Sequence, residues 1–228
     1  MSTGADPGTA PRRRDARRNR ELLIEAAQEV FREQGLEAPL DVIARRAGVG
    51  NATLYRHFPT RVALVDAVFR EPLTDTMAAG EEARQAPDAW AGLTGYLESV
   101  FTVLATDRGT NDLMTTGLRG VEALEAVHAH NRRTVELLLE RGRTQGTVRP
   151  EVTAEDVLFA LAALGRAVPA LTAATDADAW RRPLALFLAG LHTAPAALPL
   201  ASPALTPGQL AAVLGELGPH RGTGGPAA

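Results

Sequence analysis

Residues 40–58 read LDVIARRAGVGNATLYRHF, and their spacing is that of two short helices folded across a tight turn. Ile43, Ala47, Val49 and Leu54 are placed to pack between the two segments, Ala44 is small enough to let them approach, and Gly48 supplies the positive φ that the turn demands. The first segment opens near Pro39, whose fixed φ suits the start of a helix, and runs to about Ala47; the second spans Asn51 to His57. Upstream, Leu22, Leu23, Ala26, Ala27, Val30 and Phe31 recur as adjacent pairs every four residues. That is one broad apolar stripe on a first helix, which Asp15 can cap and Gly35 can end. Three such helices make a helix-turn-helix unit whose third member turns Asn51, Ala52, Thr53, Tyr55, Arg56 and His57 outward, where a DNA major groove would accept them. A generic helical hairpin, with Tyr55 and Phe58 as core aromatics, fits the same spacing.

Beyond this unit almost no strand-type alternation occurs, and helical periodicity recurs from Arg18 to Leu191, so an all-α fold is expected. Pro59 breaks the chain and Thr60 can cap a fourth helix from Arg61. After a polar stretch holding Gly80 and Pro87, the spacing predicts a helix with Trp90, Leu93, Leu97, Val100 and Leu104 on one face. A later helix places Val121, Leu124, His128, Asn131, Val135 and Leu138 together, so two polar residues sit on its apolar face. Thr153 caps a segment with a seam of Val157, Leu161, Leu164 and Val168, and the next repeats the pattern with Trp180, Leu184, Phe187 and Leu191. Apolar residues beyond those seams, Leu158, Phe159, Leu186 and Leu188, exceed what one monomer readily covers, so a partner subunit is expected on the helices around Leu161 and Phe187. The divisions expected are a flexible basic arm at 1–14, a DNA-binding unit at 15–70, a helical ligand-binding and dimerisation domain at 71–193, and a Pro/Ala-rich tail at 194–228 with a short helix at 206–217 capped by Thr206.

The chain of 228 residues carries a net charge of −3, and all of its basic residues are arginines. Residues 1–70 hold 12 Arg against 9 Asp and Glu, whereas residues 71–228 hold 12 against 18. The excess of positive charge therefore falls on the segment expected to meet DNA, although its size also suits a merely solvated face. Cysteine is absent, which excludes disulfides and thiolate metal sites and suits a cytoplasmic protein. Residues 1–20 lack the apolar run of a signal peptide. The most apolar stretches, 157–173 and 184–205, are interrupted by Arg166, Pro169, His192, Pro195, Pro199 and Pro203, so no membrane span is expected.

Enzymatic readings find little support. Glu125 and His128 have the Glu-x-x-His spacing of di-iron bundles, but no second copy accompanies them. No phosphate-cradling glycine loop, HExxH or GxSxG occurs. His128 and His130 lie two apart, on different sides of a helix, which does not suit a metal site. No catalytic residue, metal or cofactor is assigned.

Residues Arg18 to about Phe69 resemble the DNA-binding domain of the TetR family of regulators. The resemblance rests on Phe31 and Gly35, Ile43-Ala44, Ala47-Gly48-Val49, Leu54-Tyr55-Arg56-His57-Phe58 and Thr60-Arg61. It implies an N-terminal three-helix DNA-binding domain followed by a helical domain that binds a small molecule and dimerises through its last two long helices. It further implies that Tyr55, His57 and Arg61 contact phosphate, while Asn51, Thr53 and Arg56 lie closer to base edges. Arg17, with its arginine neighbours, adds contacts from the arm, or serves only as a solubilising tail. Two positions depart from the family pattern: Ala38-Pro39-Leu40 offers no hydroxyl at the start of the second helix, and Val62 stands where an acidic residue is common. For the ligand, the resemblance points among the helices after the DNA-binding domain, with Trp90, Phe101, Met114, His128 and Asn131 as candidates. The same residues also read as ordinary core. The expected function is a homodimeric repressor released from a palindromic operator on double-stranded DNA by a small hydrophobic or amphipathic ligand, with a ligand-independent architectural DNA binder as the alternative.

Overall fold

A computed structural model describes residues 9–115, 120–194, 200 and 202–217, and the described residues form ten α-helices and no strand. In chain order these are α1 (Thr9–Gln34), α2 (Leu40–Arg46), α3 (Asn51–His57), α4 (Arg61–Gln85), α5 (Ala89–Thr106), α6 (Arg108–Thr115), α7 (Glu122–Thr144), α8 (Ala154–Ala174), α9 (Arg181–Leu191) and α10 (Pro207–Leu217). The first helix begins at Thr9, not after Asp15, so the arm expected at 1–14 is helical from Thr9 onward. Nothing between Thr9 and Arg18 interrupts the helix, and three consecutive arginines are good helix formers. The remainder of that arm and the tail beyond Leu217 lie outside the described residues.

Local signals account for the ends of most elements. Gly35 and Gly48 take φ of +80° and +70° at the ends of α1 and α2, a region that costs other residues their Cβ contacts. Thr60 accepts a hydrogen bond from the Ala63 amide at 3.1 Å and so caps α4. Thr153 and Asp156 form a reciprocal capping box on α8, and Thr206 with Gln209 does the same for α10.

Helices α1 to α3 pack around Leu23, Ala27, Phe31, Ile43 and Leu54, all buried, and α4 leads from this head into the body. There α4 and α7 share the most extensive packing, with α5, α6 and α8 closing the core. Phe101 stacks on Trp180 at 5.9 Å between ring centres, tying α5 to the start of α9.

The two C-terminal seams are largely taken up within the chain. Val157, Leu161, Val168, Trp180, Leu184 and Leu191 are buried within the single chain, because α8 lays that face on α5 and α6 while α9 meets α5 and α8. What remains outward is Phe159, Ala163, Ala167 and Ala170 on α8, with Ala185, Leu186 and Ala189 on α9. Pro169 does not interrupt α8 either, so the helix is long and apolar enough to span a membrane by length and composition. It lies instead against α5, α6 and α7. A proline at 169 deprives the Gly165 carbonyl of its helical donor. Asn111 supplies the replacement, its Nδ2 donating to Gly165 O at 2.8 Å and to Leu104 O, near the end of α5, at 2.9 Å.

Candidate functional site

The outer face of α3 is open. Leu54 anchors the helix in the head, while Asn51, Ala52, Tyr55 and Arg56 are exposed, Tyr55 to 53%, and Thr53 is half-buried. An aromatic phenol and a guanidinium left in water on a seven-residue helix, beside an unblocked amide side chain, form a surface that fits phosphate and base-edge contacts. His57 differs from its neighbours on α3. Its ring is half-buried beside Phe58, and its Nε2 has no hydrogen-bond partner among the described residues. Burial, followed by the charges of Arg56 and Arg20, holds its imidazole below the ordinary histidine value. Arg20 lies over the Phe58 ring at 5.3 Å, and Arg17 is exposed on α1 and paired with Glu21 at 3.2 Å.

Arg61 is half-buried and bonded to backbone. Its Nη1 donates to Leu36 O at 2.6 Å and Ala38 O at 2.8 Å. The turn between α1 and α2 leaves these carbonyls without helical donors, and a guanidinium at the start of α4 is within reach of both. The Ala38-Pro39-Leu40 stretch has no side-chain cap on α2, as its lack of a hydroxyl requires.

The same turn is held from a second side. Asp112 Oδ2 on α6 accepts the Leu36 amide at 3.0 Å, and a Cβ at Gly35 would stand 2.4 Å from that oxygen. On the same helix, Gly109 lies against the Phe31 backbone. Asn111 and Asp112 are fully buried and were not among the candidates read from the sequence. Their only local mark is an Asn-Asp pair in the short stretch RGTNDLMT.

A cavity of about 330 Å³ opens among α6, α7, α8 and α10. Met114, His128 and Asn131 line it together with Leu158, Leu161 and Leu210. Asn131 Oδ1 accepts the buried Tyr96 hydroxyl at 2.6 Å, and burial pushes that phenol above its ordinary value. His128 has a backbone hydrogen bond to Met114, and desolvation outweighs it, so the ring is held below the ordinary histidine value. The charge of Arg132, also on the cavity wall, is met by Glu155 and by Glu136 at 3.7 Å. Trp90 and Phe101 do not reach this cavity. Trp90 meets His192 edge-on at 4.8 Å, while Phe101 is core against Trp180.

Comparison with known proteins bears on both halves. The model described as bacterial regulatory proteins of the tetR family matches residues 23–68, and the SbtR-like transcriptional regulator C-terminal domain matches residues 86–193. The HTH-type transcriptional regulator TtgW of Pseudomonas putida is 44% identical over 55 residues, which is 24% of this chain and 41% of that protein. The chain thus spans about two fifths of the length of that relative. Among solved structures, a TetR family transcriptional regulator from Agrobacterium tumefaciens has a TM-score of 0.60 at 18% identity, covering 78% of this chain and all of that one (100%). SmeT, the repressor of the Stenotrophomonas maltophilia multidrug efflux pump SmeDEF, has a TM-score of 0.56 at 22% identity, covering 81% and 97%. At these identities the two structures speak for the shared fold.

Proposed function

Because the chain belongs to the TetR family of bacterial regulatory proteins, we propose that it is a DNA-binding transcriptional repressor, active as a homodimer in the cytoplasm and released from a palindromic operator by a small hydrophobic or amphipathic molecule. The observation that carries this reading is the open face of α3, where Asn51, Tyr55 and Arg56 stand in solvent above the buried Leu54. Two copies of that face would enter successive major grooves roughly 34–36 Å apart or somewhat more. The outward alanine faces of α8 and α9, with Phe159 and Leu186 among them, support pairing of two chains as a helix bundle, since small side chains let helices approach closely.

The cavity lined by His128 and Asn131 favours a ligand-responsive protein over an architectural one. It also supports a path to the DNA face. Met114 lines the cavity from α6, and two residues earlier Asp112 grips the turn between α1 and α2. A ligand that displaces α6 would therefore move α1 directly, in addition to any pull through α4, coupling the two sites by about 1–3 kcal/mol. Footprinting the purified protein on its own upstream region, with and without a panel of hydrophobic small molecules, tests DNA binding, dimer length and release together. A protected palindrome that opens with one of these compounds is expected; no protection at any protein concentration overturns the reading.

A further inference from the structure

Helix α10 lies beyond residue 193, where the C-terminal family match ends, yet it forms one wall of the cavity through Pro207, Leu210, Ala211 and Leu214. Its principal packing partner is α8, and Leu210 is buried against the body, whereas Gly208, Gln209, Ala211, Ala212 and Gly215 are exposed. Leu214 is only half-buried although it faces inward, since what lies beneath it is the cavity. A helix of this length is marginal without tertiary contacts, and side chains that border a void forgo the dispersion contacts a filled space would supply. Any molecule that fills the space gains contacts on α7, α8 and α10 at once.

The polar lining narrows the class of that molecule. The positive charge of Arg132 is already met by Glu155 and Glu136, which leaves no unpaired arginine among the described residues of the lining for a carboxylate or phosphate. Asn131 spends its oxygen on Tyr96, so its amide hydrogens remain as donors, and the His128 ring, bonded to the Met114 backbone through one nitrogen, keeps the other for a ligand. The rest of the lining is Met114, Leu158, Leu161, Ala162, Leu210 and Leu214.

We propose that α10 is a closing wall of the ligand cavity, that the ligand is an uncharged, largely apolar molecule bearing a hydroxyl or carbonyl group, and that its binding and the docking of α10 on α8 reinforce each other. This rests on the reading of the chain as a ligand-responsive regulator and names the ligand class and the moving part of that same site. The full chain is expected to bind the neutral fluorophore N-phenyl-1-naphthylamine, with decan-1-ol displacing it and decanoate failing to. Bound fluorophore should slow amide hydrogen exchange in α10 by tenfold or more. Leu210→Asp, chosen to unseat α10, should weaken the fluorophore by at least tenfold, and Ala211→Trp, chosen to fill the cavity from the α10 side, should exclude it while α10 stays protected from exchange. The proposal is overturned by an unchanged fluorophore affinity in Leu210→Asp, by decanoate competing as well as decan-1-ol, by exchange in α10 that ignores the fluorophore, or by no binding to the full chain. A missing footprint on DNA strikes the regulator reading alone, because the fluorophore is read without DNA.

Discussion

Arg61 and Asp112 meet at the same turn, one donating to the carbonyls of Leu36 and Ala38 and the other accepting the Leu36 amide. A guanidinium bonded to both carbonyls is expected to act first on the stability of that turn. Arg61→Ala is expected to lower stability by about 1–3 kcal/mol, the cost of leaving partly buried carbonyls unpaired, and to leave the salt dependence of operator binding unchanged. Arg56→Ala, on the exposed face of α3, should do the reverse: an unaltered melt with either a salt slope lower by about 0.9 for a lost phosphate contact or a shifted sequence preference for a lost base contact. A melt and a salt titration on each variant decide the matter. His57, His128 and His130 are all held below the ordinary value of 6.5, chiefly by desolvation, with Arg84 and Arg133 adding to the effect at His130. The unfolded chain then binds more protons than the folded one as the pH drops below 6.5, so stability is present above that value and lost on acidification. Melting temperatures should fall between about pH 7.5 and about pH 5.5, and His130→Gln should flatten that fall.

Among the elements, α6 and α8 depend on one another. Pro169 leaves a carbonyl that only a donor from outside α8 can satisfy, and Asn111 is that donor while also closing the end of α5. Removing it in Asn111→Ala leaves two buried carbonyls without partners, at about 1–3 kcal/mol for each, a loss that a denaturant titration will register. The outward faces of α8 and α9 carry a different burden. They are apolar and exposed in the single chain, with Leu186 exposed to 66%. A stable pairing needs about 1,200–2,000 Å² of buried surface, and a charge in its middle would abolish it. Leu186→Glu is therefore expected to sediment as a monomer with an unchanged melt, and to lose the footprint; a dimer that persists would place the interface elsewhere.

The head and the cavity are joined by one short helix, α6. Asp112 and Met114 lie on the same buried helix, one facing the turn before α2 and the other facing the cavity. Asp112→Ala should therefore separate the two events: DNA and ligand still bind, each in the absence of the other, while the fold-change in operator affinity caused by ligand, about 5- to 150-fold for a coupling of this kind, collapses toward one. Titrating operator with and without the releasing compound measures it. If the coupling survives intact, α4 alone transmits the signal.

The helices of the head, the glycine turns and the caps at Thr60, Thr153 and Thr206 were legible from neighbouring residues, because a cap or a positive-φ turn is settled within about four positions of chain. The amphipathic spacing of α5 and of α7 to α9 was legible for the same reason, since a helix shows its apolar face in its own period. Periodicity does not say what that face will meet. Only the folded chain decided that the seams of α8 and α9 are used internally, that Arg61 serves a turn 25 and 23 residues upstream, and that Asn111 repairs a helix 54 residues downstream. Trp90 and Phe101 stand apart from Met114, His128 and Asn131 on the same grounds. The chain determined its elements through short-range sterics and hydrogen bonding; which polar groups were orphaned, and which distant side chain reached them, depended on how those elements packed.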